Sequence, residues 1–276
     1  ASWGEYSQFL YTINQEDELL RIVDFWQPIP EGGKPQQSEH FIIGSEYWIS
    51  EGNIFSVEAY VKDYSNIYDL NPKVEGSDIE GTIALSGIGR SYGLELMYRL
   101  KKDKISGWIS YAYSRIKREV DLNSDGIIWQ SKEIYPAKYD KPHSFNSVLS
   151  YQLSEKHEIG LSTIFSSGQT YTPVVGKVHQ AGSQSYGSLE NPYHYFGNIY
   201  GGRNSGRYPN YFRIDLSLTR KSNLWGLTGK WKFQIINLTN HYNVLLYNWN
   251  HEASPSQVLA YSMFPILVTF GWEFNI

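Results

Sequence analysis

The sequence contains no cysteine, only two methionines, no long apolar run and no excess of basic residues. Without cysteine the chain can hold no disulfide scaffold, no thiolate-ligated zinc or iron–sulfur site and no cysteine nucleophile. The 24 basic and 28 acidic residues give a formal net charge of −4, and no basic run is longer than a pair such as Lys101–Lys102. This balance argues against nucleic acid as the main partner. The mean hydropathy of −0.43 and the lack of an apolar stretch of about 18 residues exclude a helical membrane protein.

The chain is rich in aromatic residues, with 23 Tyr, 12 Phe and 9 Trp among 276 residues, and 41% of all residues are hydrophobic. This hydrophobic content excludes intrinsic disorder. A transmembrane β-barrel remains compatible with the low mean hydropathy, because apolar and polar residues alternate along its strands. Tyr and Trp are also favoured at bilayer interfaces, where the ring lies among acyl chains and the OH or NH stays hydrated.

Apolar and polar residues alternate with period two along most of the chain, and the last segment shows this best. The residues on its apolar face are Ile266, Val268, Phe270, Trp272, Phe274 and Ile276. The same alternation recurs at 55–62, 92–99, 159–166 and 212–219. Because successive strand side chains point to opposite faces, each of these strands separates an apolar face from a polar one.

The alternation predicts ten strands, whose ranges are 5–13, 36–49, 53–69, 90–101, 105–118, 143–153, 157–167, 208–220, 228–239 and 264–276. Short connections at 50–52, 102–104, 154–156 and 221–227 alternate with long ones at 14–35, 71–89, 119–142, 168–207 and 240–263. In an up-and-down meander this places every long loop at one end of the sheet, an asymmetry typical of outer-membrane barrels. We therefore expect an all-β fold, an antiparallel transmembrane β-barrel, with the long loops extracellular and the C-terminus periplasmic.

A soluble β-sandwich is the alternative fold, since its strands also alternate where one face packs on a core. Several predicted strands reach ten or more residues, however, whereas soluble strands usually have about five or six. The abundance of Tyr and Trp, and the long loops on one side, also favour the membrane barrel. No internal repeat, low-complexity tract or linker is found, which indicates one domain.

The polar strand faces carry charges of both signs, as in a barrel lumen that is wet or filled by a polar plug. The predicted lumen-facing residues are Glu58, Lys62, Glu95, Arg99, Arg213, Asp215, Lys230, Lys232 and Glu273. These side chains either bind a plug or are simply solvated.

The longest loop, 168–207, is rich in aromatic residues and histidine, which makes it the candidate ligand-binding segment. The candidate residues are Tyr171, His179, Tyr186, Tyr193, His194, Tyr195 and Phe196. Their rings could grip a sugar, a siderophore or a peptide by stacking. They could equally serve only to pack the loop onto its neighbours.

No motif supports a metal, a cofactor or catalysis. Asp121, Asn123 and Asp125 resemble the start of an EF-hand loop, but Lys132 stands where a glutamate is required and no helices flank the loop. The seven histidines include no i, i+4 pair, and no nucleophile elbow, phosphate-binding loop or dinucleotide fingerprint occurs. We therefore expect no cofactor, no metal and no enzyme activity.

Six stretches together resemble the C-terminal barrel strands of TonB-dependent outer-membrane receptors. They are KPQQSEHFIIGSEY (34–47), VEAYVKDYSNIYDL (57–70), RSYGLELMYRLKKDKISGWISYAYSR (90–115), YPAKYDKPHSFNSVLSYQL (135–153), GRYPNYFRIDLSLT (206–219) and KFQIINLTNHYN (232–243). The resemblance covers nearly the whole chain. Its most specific parts are the YGLELMYR/GWISYAYS hairpin, AKYDKPH, and the pair RIDLSLT/INLTNHYN.

The resemblance implies an importer of scarce nutrients such as a siderophore, a cobalamin-like chelate or an oligosaccharide. In this family a barrel of roughly 22 strands surrounds a plug domain, and a TonB-type complex supplies the energy. Residues 1–276 would then be the C-terminal portion of the barrel, with the plug and the TonB box outside this chain. Residues 1–10 show no signal-peptide pattern, which fits mature sequence or a fragment.

Further partners follow from the same resemblance. Phe270, Trp272, Phe274 and Ile276 resemble the C-terminal signal read by the barrel-assembly machinery, although the family usually ends in Phe. The sequence leaves open whether a surface lipoprotein caps the barrel. The localisation implied is the Gram-negative outer membrane.

The alternative function is a self-contained ten-stranded outer-membrane enzyme, protease-like, with carboxylates and histidine at the loop rim. The cluster that could serve it is Asp121, Asp125, Asp140 and His143. General acid–base catalysis would need these groups within hydrogen-bond reach of each other.

Overall fold

The computed structural model describes residues 1–12, 26–29, 31–70, 83–121, 132–181, 194–224, 226–250, 253 and 255–274. The regular structure in these ranges is β-strand, and the strands pair antiparallel. Among the residues described, none belongs to a helix long and apolar enough to cross a membrane.

The strands are β1 (Ser2–Gln8), β2 (Leu10–Thr12), β3 (Trp26–Pro28), β4 (Gln36–Ser50), β5 (Asn53–Leu70), β6 (Ile83–Lys102), β7 (Ile105–Asp121), β8 (Lys132–Pro136), β9 (His143–Gln152), β10 (His157–Ser166), β11 (Thr170–Tyr171), β12 (Val174–Ala181), β13 (His194–Tyr200), β14 (Gly206–Arg207), β15 (Tyr211–Leu224), β16 (Leu227–Ile236), β17 (Val244–Asn250), β18 (Gln257–Ser262) and β19 (Leu267–Phe274).

Ten of these strands form one continuous sheet in the order β1-β4-β5-β6-β7-β9-β10-β15-β16-β19, and β8 adds to it by pairing with β7. Each of the ten corresponds to one strand expected from the sequence alternation, and the up-and-down order is confirmed. The sheet is open in the described part of the chain, because β1 and β19 each pair with one neighbour only.

The register separates the two faces of the sheet as the alternation predicts. One row across neighbouring strands is apolar, and its members are Val57, Leu96, Tyr111, Phe145, Phe165 and Phe212. The next row lies on the opposite face and is mainly polar: Glu58, Glu95, Ala112, Ser144, Ser166 and Tyr211. No second layer covers the apolar face in the described ranges, and Phe270 is 68% exposed there.

The tight turns lie at one end of the sheet, as predicted. Gly52 and Asp103 adopt the left-handed conformation in the first two turns, with φ of 78° and 48°. The turn predicted at 221–227 is shorter than expected, since β15 continues to Leu224 and pairs there with Leu227 at the start of β16. Lys221 and Asn223 extend the alternation beyond the predicted end of the strand.

The described parts of the long connections contain further strands that the alternation did not predict. Hairpins β12–β13 and β17–β18, the short pair β11–β14 and the strands β3 and β8 lie within predicted long connections, whereas β2 lies at the end of the predicted strand 5–13. β6 begins at Ile83 rather than at residue 90. Gly87 and Gly89 obscured this extension, because glycine weakens the strand signal. A side chain at Gly87 would meet the Ile67 carbonyl oxygen at 2.8 Å, so the close approach of β5 requires glycine there.

Candidate functional site at the long-connection end

At the long-connection end, pairs of neighbouring strands extend beyond the main sheet as two-stranded hairpins. The β11–β14 pair continues the β10–β15 pair along the same two chain segments. Strand pairing is interrupted between the two pairs, and there the Tyr208 N–H donates to the Gln169 carbonyl (2.9 Å). β12–β13 comes next along the same two chain segments, joined by a hydrogen bond from the Gly201 N–H to the Pro173 carbonyl (2.7 Å). The result is a set of hairpins that rise from the sheet.

The Asp140 carboxylate replaces a missing backbone acceptor in the sheet, between β8 and β9. Both strands pair with β7, but between them the Ile116 N–H has no strand carbonyl opposite and donates to Asp140 Oδ1 (2.8 Å). On either side of this point, Ala137 and Pro142 resume backbone pairing with β7. The carboxylate therefore takes the place of a backbone acceptor, which explains an aspartate in the AKYDKPH stretch.

The Asp140 carboxylate is fully buried and is neutralised by two arginines. Arg207 Nη2 lies 2.6 Å from Oδ2, and Arg115 Nε lies 3.3 Å from Oδ1. Arg207 also donates to the carbonyls of Asp140 and Gly168. A buried carboxylate with this many donors is paired as a structural group, because an unpaired one would be too costly to bury.

A second buried cluster joins the upper end of β5 to β8. The Tyr135 hydroxyl donates to Asp69, and the Arg203 guanidinium lies 3.3 Å from the same carboxylate and 3.5 Å from Glu133. The guanidinium also lies over the Tyr135 ring, with Cζ 4.8 Å from the centroid. Arg118 completes the cluster 3.6 Å from Asp69.

These contacts shift the ionisation of two groups. Burial, and then the Asp69 carboxylate, raises the pKa of Tyr135 far above its ordinary value, so the hydroxyl remains a donor. Burial alone would lower the pKa of Arg203, but the neighbouring Asp69, Tyr135 and Glu133 outweigh this and raise it.

Asparagine side chains complete the pairing where β16 ends, in the INLTNHYN stretch. Asn243 mimics a strand residue, since its amide accepts from the Phe212 N–H (2.8 Å) and donates to the Phe212 carbonyl (2.9 Å). Asn237 is buried, donates to the His241 carbonyl and accepts from the His241 N–H. Asp215 accepts from the Asn237 N–H (2.9 Å). The asparagines therefore form a structural turn.

Three tyrosine rings pack together above β10 and β15. Tyr171, Tyr208 and Tyr247 have ring centroids 4.5 to 5.4 Å apart. Burial raises the pKa of Tyr171 and of Tyr208. Because Tyr247 belongs to β17, the cluster joins the β11–β14 pair to the β17–β18 hairpin.

Of the residues expected to contact a ligand, several lie on the hairpin above this cluster. The register places His179 opposite Phe196, and the neighbouring pairs are Gln180 with Tyr195 and Ala181 with His194. Tyr171 lies lower, in the tyrosine cluster. Tyr186 and Tyr193 lie outside the described residues. The ligand contacts of this set stay a prediction.

The nine residues expected to face a lumen share one face of the sheet by the register. Glu58 and Glu95 are directly opposite each other and line a groove of about 380 Å³, and two carboxylates in this arrangement repel each other. Lys62 lies over the Tyr60 ring, at 4.7 Å from its centroid. Arg99 shares this face at the turn end of β6. The remaining contacts are ion pairs: Arg213 with Asp215 (2.9 Å), and both Lys230 and Lys232 with Glu273.

The residues of the expected assembly signal form an aromatic column on the apolar face. Trp231 of β16 stacks on Phe270 (5.0 Å) and lies 5.7 Å from Trp272, which stacks on Phe274 (5.0 Å). Ile276 lies outside the described residues. Recognition by the assembly machinery stays a prediction.

The residues of the alternative enzyme site do not form a reactive cluster in the described part of the chain. Both oxygens of Asp140 are engaged, Asp121 is buried at the end of β7, and His143 Nδ1 is hydrogen-bonded to the Tyr111 hydroxyl (2.8 Å). Asn123 and Asp125 lie outside the described residues. Within the described ranges, no three acidic or histidine side chains are grouped to hold a metal ion.

Sequence reasoning missed Asp69, Arg203 and Arg207, because their partners Tyr135 and Asp140 lie 66 to 68 residues away in the sequence. The available signal was the repeat of Gly and Arg in GGRNSGR (201–207), where two arginines lie in a turn-forming stretch.

A family model described as TonB dependent receptor-like, beta-barrel, matches residues 11–240. No curated protein and no solved structure gives a significant match.

Proposed function

Because the chain belongs to the TonB-dependent receptor β-barrel family, we propose that it is part of a receptor that binds a scarce nutrient outside the cell and imports it with energy from a TonB-type complex. The family is one of outer-membrane transport proteins rather than enzymes. The nutrient classes that we propose are a siderophore, a cobalamin-like chelate or an oligosaccharide.

The observation that carries the proposal is the combination of a two-faced sheet with hairpins that rise from one end only. The apolar face suits lipid, and the charged and serine-containing face suits a polar lumen. The hairpins carry the aromatic and histidine residues that would contact the ligand. We place these hairpins outside the cell and the tight turns in the periplasm.

The open edges support a larger barrel. A strand edge in lipid leaves backbone donors and acceptors without partners, so only closed barrels span a membrane. We propose that β1 and β19 pair with further strands of the same receptor, to about 22 in all, and that its plug domain occupies the lumen. Insertion would depend on the barrel-assembly machinery.

The experiment is an uptake assay in the native bacterium with and without the receptor gene. Ferric siderophores, cobalamin and oligosaccharides are supplied one at a time as the limiting nutrient, each in a labelled form. We expect that one class requires the gene, and that its uptake stops when a protonophore is added or the TonB-type complex is deleted. Receptor-dependent uptake that persists without the complex would contradict the proposal. A strain that lacks an unrelated porin is the matched control.

A further inference from the structure

We propose that Arg203 and Arg207 are positioning residues, which clamp the base of the β12–β13 hairpin to β8 and to the link between β8 and β9. Residues 201–207, which we name the strap, follow β13, include β14 and carry both arginines. The inference rests on the proposed function, in which β12–β13 captures the ligand, and adds the device that sets the position of this hairpin.

The two arginines bind carboxylates on three different segments. Arg207 pairs with Asp140 in the link between β8 and β9. Arg203 pairs with Asp69 at the end of β5 and with Glu133 on β8. Both carboxylate clusters are buried or half-buried, so these pairs are far less screened by water and salt than surface pairs.

Uncharged side chains of the strap and of β11 also donate hydrogen bonds to the segment 136–138. The Asn204 side chain donates to the Pro136 carbonyl at the end of β8 (3.0 Å). The Thr170 hydroxyl, on β11, can donate to the Ala137 (2.9 Å) or the Lys138 carbonyl (3.1 Å). Every one of these acceptors belongs to residues 136–138, so the hairpin base is held along its width and not at a single point.

The strap itself is a compact turn. The Asn204 backbone is left-handed (φ 51°), the Asn204 N–H donates to the Thr172 hydroxyl (3.0 Å), and the Ser205 N–H donates to the Gly202 carbonyl (3.1 Å). Gly206 lies under the Tyr171 ring, where a Cβ would come within 2.8 Å of it. The turn therefore fixes the backbone from which Arg203 and Arg207 reach the two carboxylate clusters.

The tyrosine cluster contacts the same base. Tyr171 on β11 and Tyr208, which follows the strap, pack on Tyr247 of β17. Higher up, the Lys177 ammonium on β12 donates to the Ala253 carbonyl (3.4 Å). If the contacts of the two arginines are lost, the base of β12–β13 is held less firmly, and the hairpin should sample a wider range of positions.

The test uses the complete receptor purified in nanodiscs. Because this chain contains no cysteine, we expect site-directed spin labels to be introducible at Val178→Cys on β12 and Tyr139→Cys in the link, with any cysteine elsewhere in the receptor replaced. Both native side chains are exposed. Pulsed electron spin resonance then measures the distribution of distances between the labels. A narrow distribution is expected for the native strap, and a clearly broadened one for the double variant R203Q/R207Q.

Two further variants complete the design. Asn204→Ala is a milder change for use if the double variant does not fold, and it should broaden the distribution less. Arg90→Gln is the matched control, because Arg90 pairs with Asp63 on the exposed outer side of the sheet and should leave the distribution unchanged. An unchanged distribution in both strap variants would overturn the proposal.

Uptake measurements distinguish a failure of the clamp proposal from a failure of the proposed function. They use the nutrient that the uptake assay identifies for the receptor. If the competent orientation falls to about one tenth of the population, the half-saturation concentration should rise about tenfold with the maximal rate preserved. A broadened distribution with unchanged half-saturation would show that the strap does not position a ligand site. If the native receptor itself shows no energised uptake, the proposed function is refuted. The spin-label measurement would still report whether the arginines position the hairpin.

Discussion

At the scale of single residues, side chains take over backbone pairing where the sheet is interrupted. Asp140 accepts from Ile116, Asn243 pairs with both backbone groups of Phe212, and Asn53 does the same with Lys101 beside a tight turn. A backbone group left without a partner costs about 1–3 kcal/mol when it is buried. These polar residues are therefore part of the sheet rather than of a reactive site.

Asp140→Asn should strongly destabilise the receptor. The amide keeps an oxygen for the Ile116 N–H, but it leaves the charges of Arg207 and Arg115 without their carboxylate, and we expect a loss of about 3 kcal/mol in the free energy of unfolding. Urea unfolding in lipid vesicles measures the loss. Asp63→Asn is the control, since Asp63 belongs to an exposed pair with Arg90 and exposed pairs contribute little. Equal effects of the two substitutions would refute the role of Asp140.

At the scale of elements, glycines on the strands admit aromatic rings from the neighbouring strand. Gly93 of β6 is paired with Tyr60 of β5, and a Cβ at Gly93 would lie 2.7 Å from the tyrosine ring and 2.6 Å from the Tyr113 carbonyl. Gly271 of β19 is on the same face of the sheet, but nothing lies within 4 Å of its ideal Cβ position.

Gly93→Ala should therefore destabilise the sheet, whereas Gly271→Ala should not. Overpacking against the Tyr113 carbonyl cannot be relieved by a rotamer change, and we expect a cost of about 1–3 kcal/mol. Folded yield and urea unfolding in vesicles compare the two variants. If both alanines are tolerated alike, the close packing of Tyr60 over Gly93 is not a constraint on this sheet.

The elements also show which parts of the fold follow from sequence. Strands with a clean period of two, such as β19, were predictable because membrane and lumen require opposite polarity on the two faces. The extension of β6 was hidden by Gly87 and Gly89, and β11 and β14 have two residues each, too few for any periodicity. The clusters of Arg203 and Arg207 depend on contacts between distant segments, which no local pattern encodes.

At the scale of the whole molecule, the main sheet has one apolar and one polar face. Leu96 of the apolar row lies six residues from the turn end of β6 at Lys102, which is about half of the 9–11 residues that a tilted strand needs to cross the bilayer. Its neighbour in sequence, Met97, lies on the polar face and lines the groove beside Glu58. In the proposed barrel, Leu96 therefore faces the lipid and its neighbour Met97 faces the polar lumen.

Arginine substitutions at these two positions test which face of the sheet contacts the lipid. Leu96→Arg should cost about 2–4 kcal/mol, because it places a charge near the bilayer midplane on the lipid side. Met97→Arg should be far better tolerated, since the polar face already carries Glu58 and Glu95. Folding into vesicles, followed by heat-dependent mobility on gels, reports both. A larger loss from Met97→Arg would reverse the assignment of the faces.

The side chains that close gaps in the sheet have a consequence for how such receptors diversify. Asp140 and Asn243 lie below the hairpins, at the boundary with the main sheet. Residues inserted or deleted above this boundary leave the strand register below it unchanged, since the register is already secured there. Exchange of the β12–β13 hairpin that keeps residues 201–207, and with them the Arg207 partner of Asp140, should therefore leave the sheet intact while it changes what the receptor recognises.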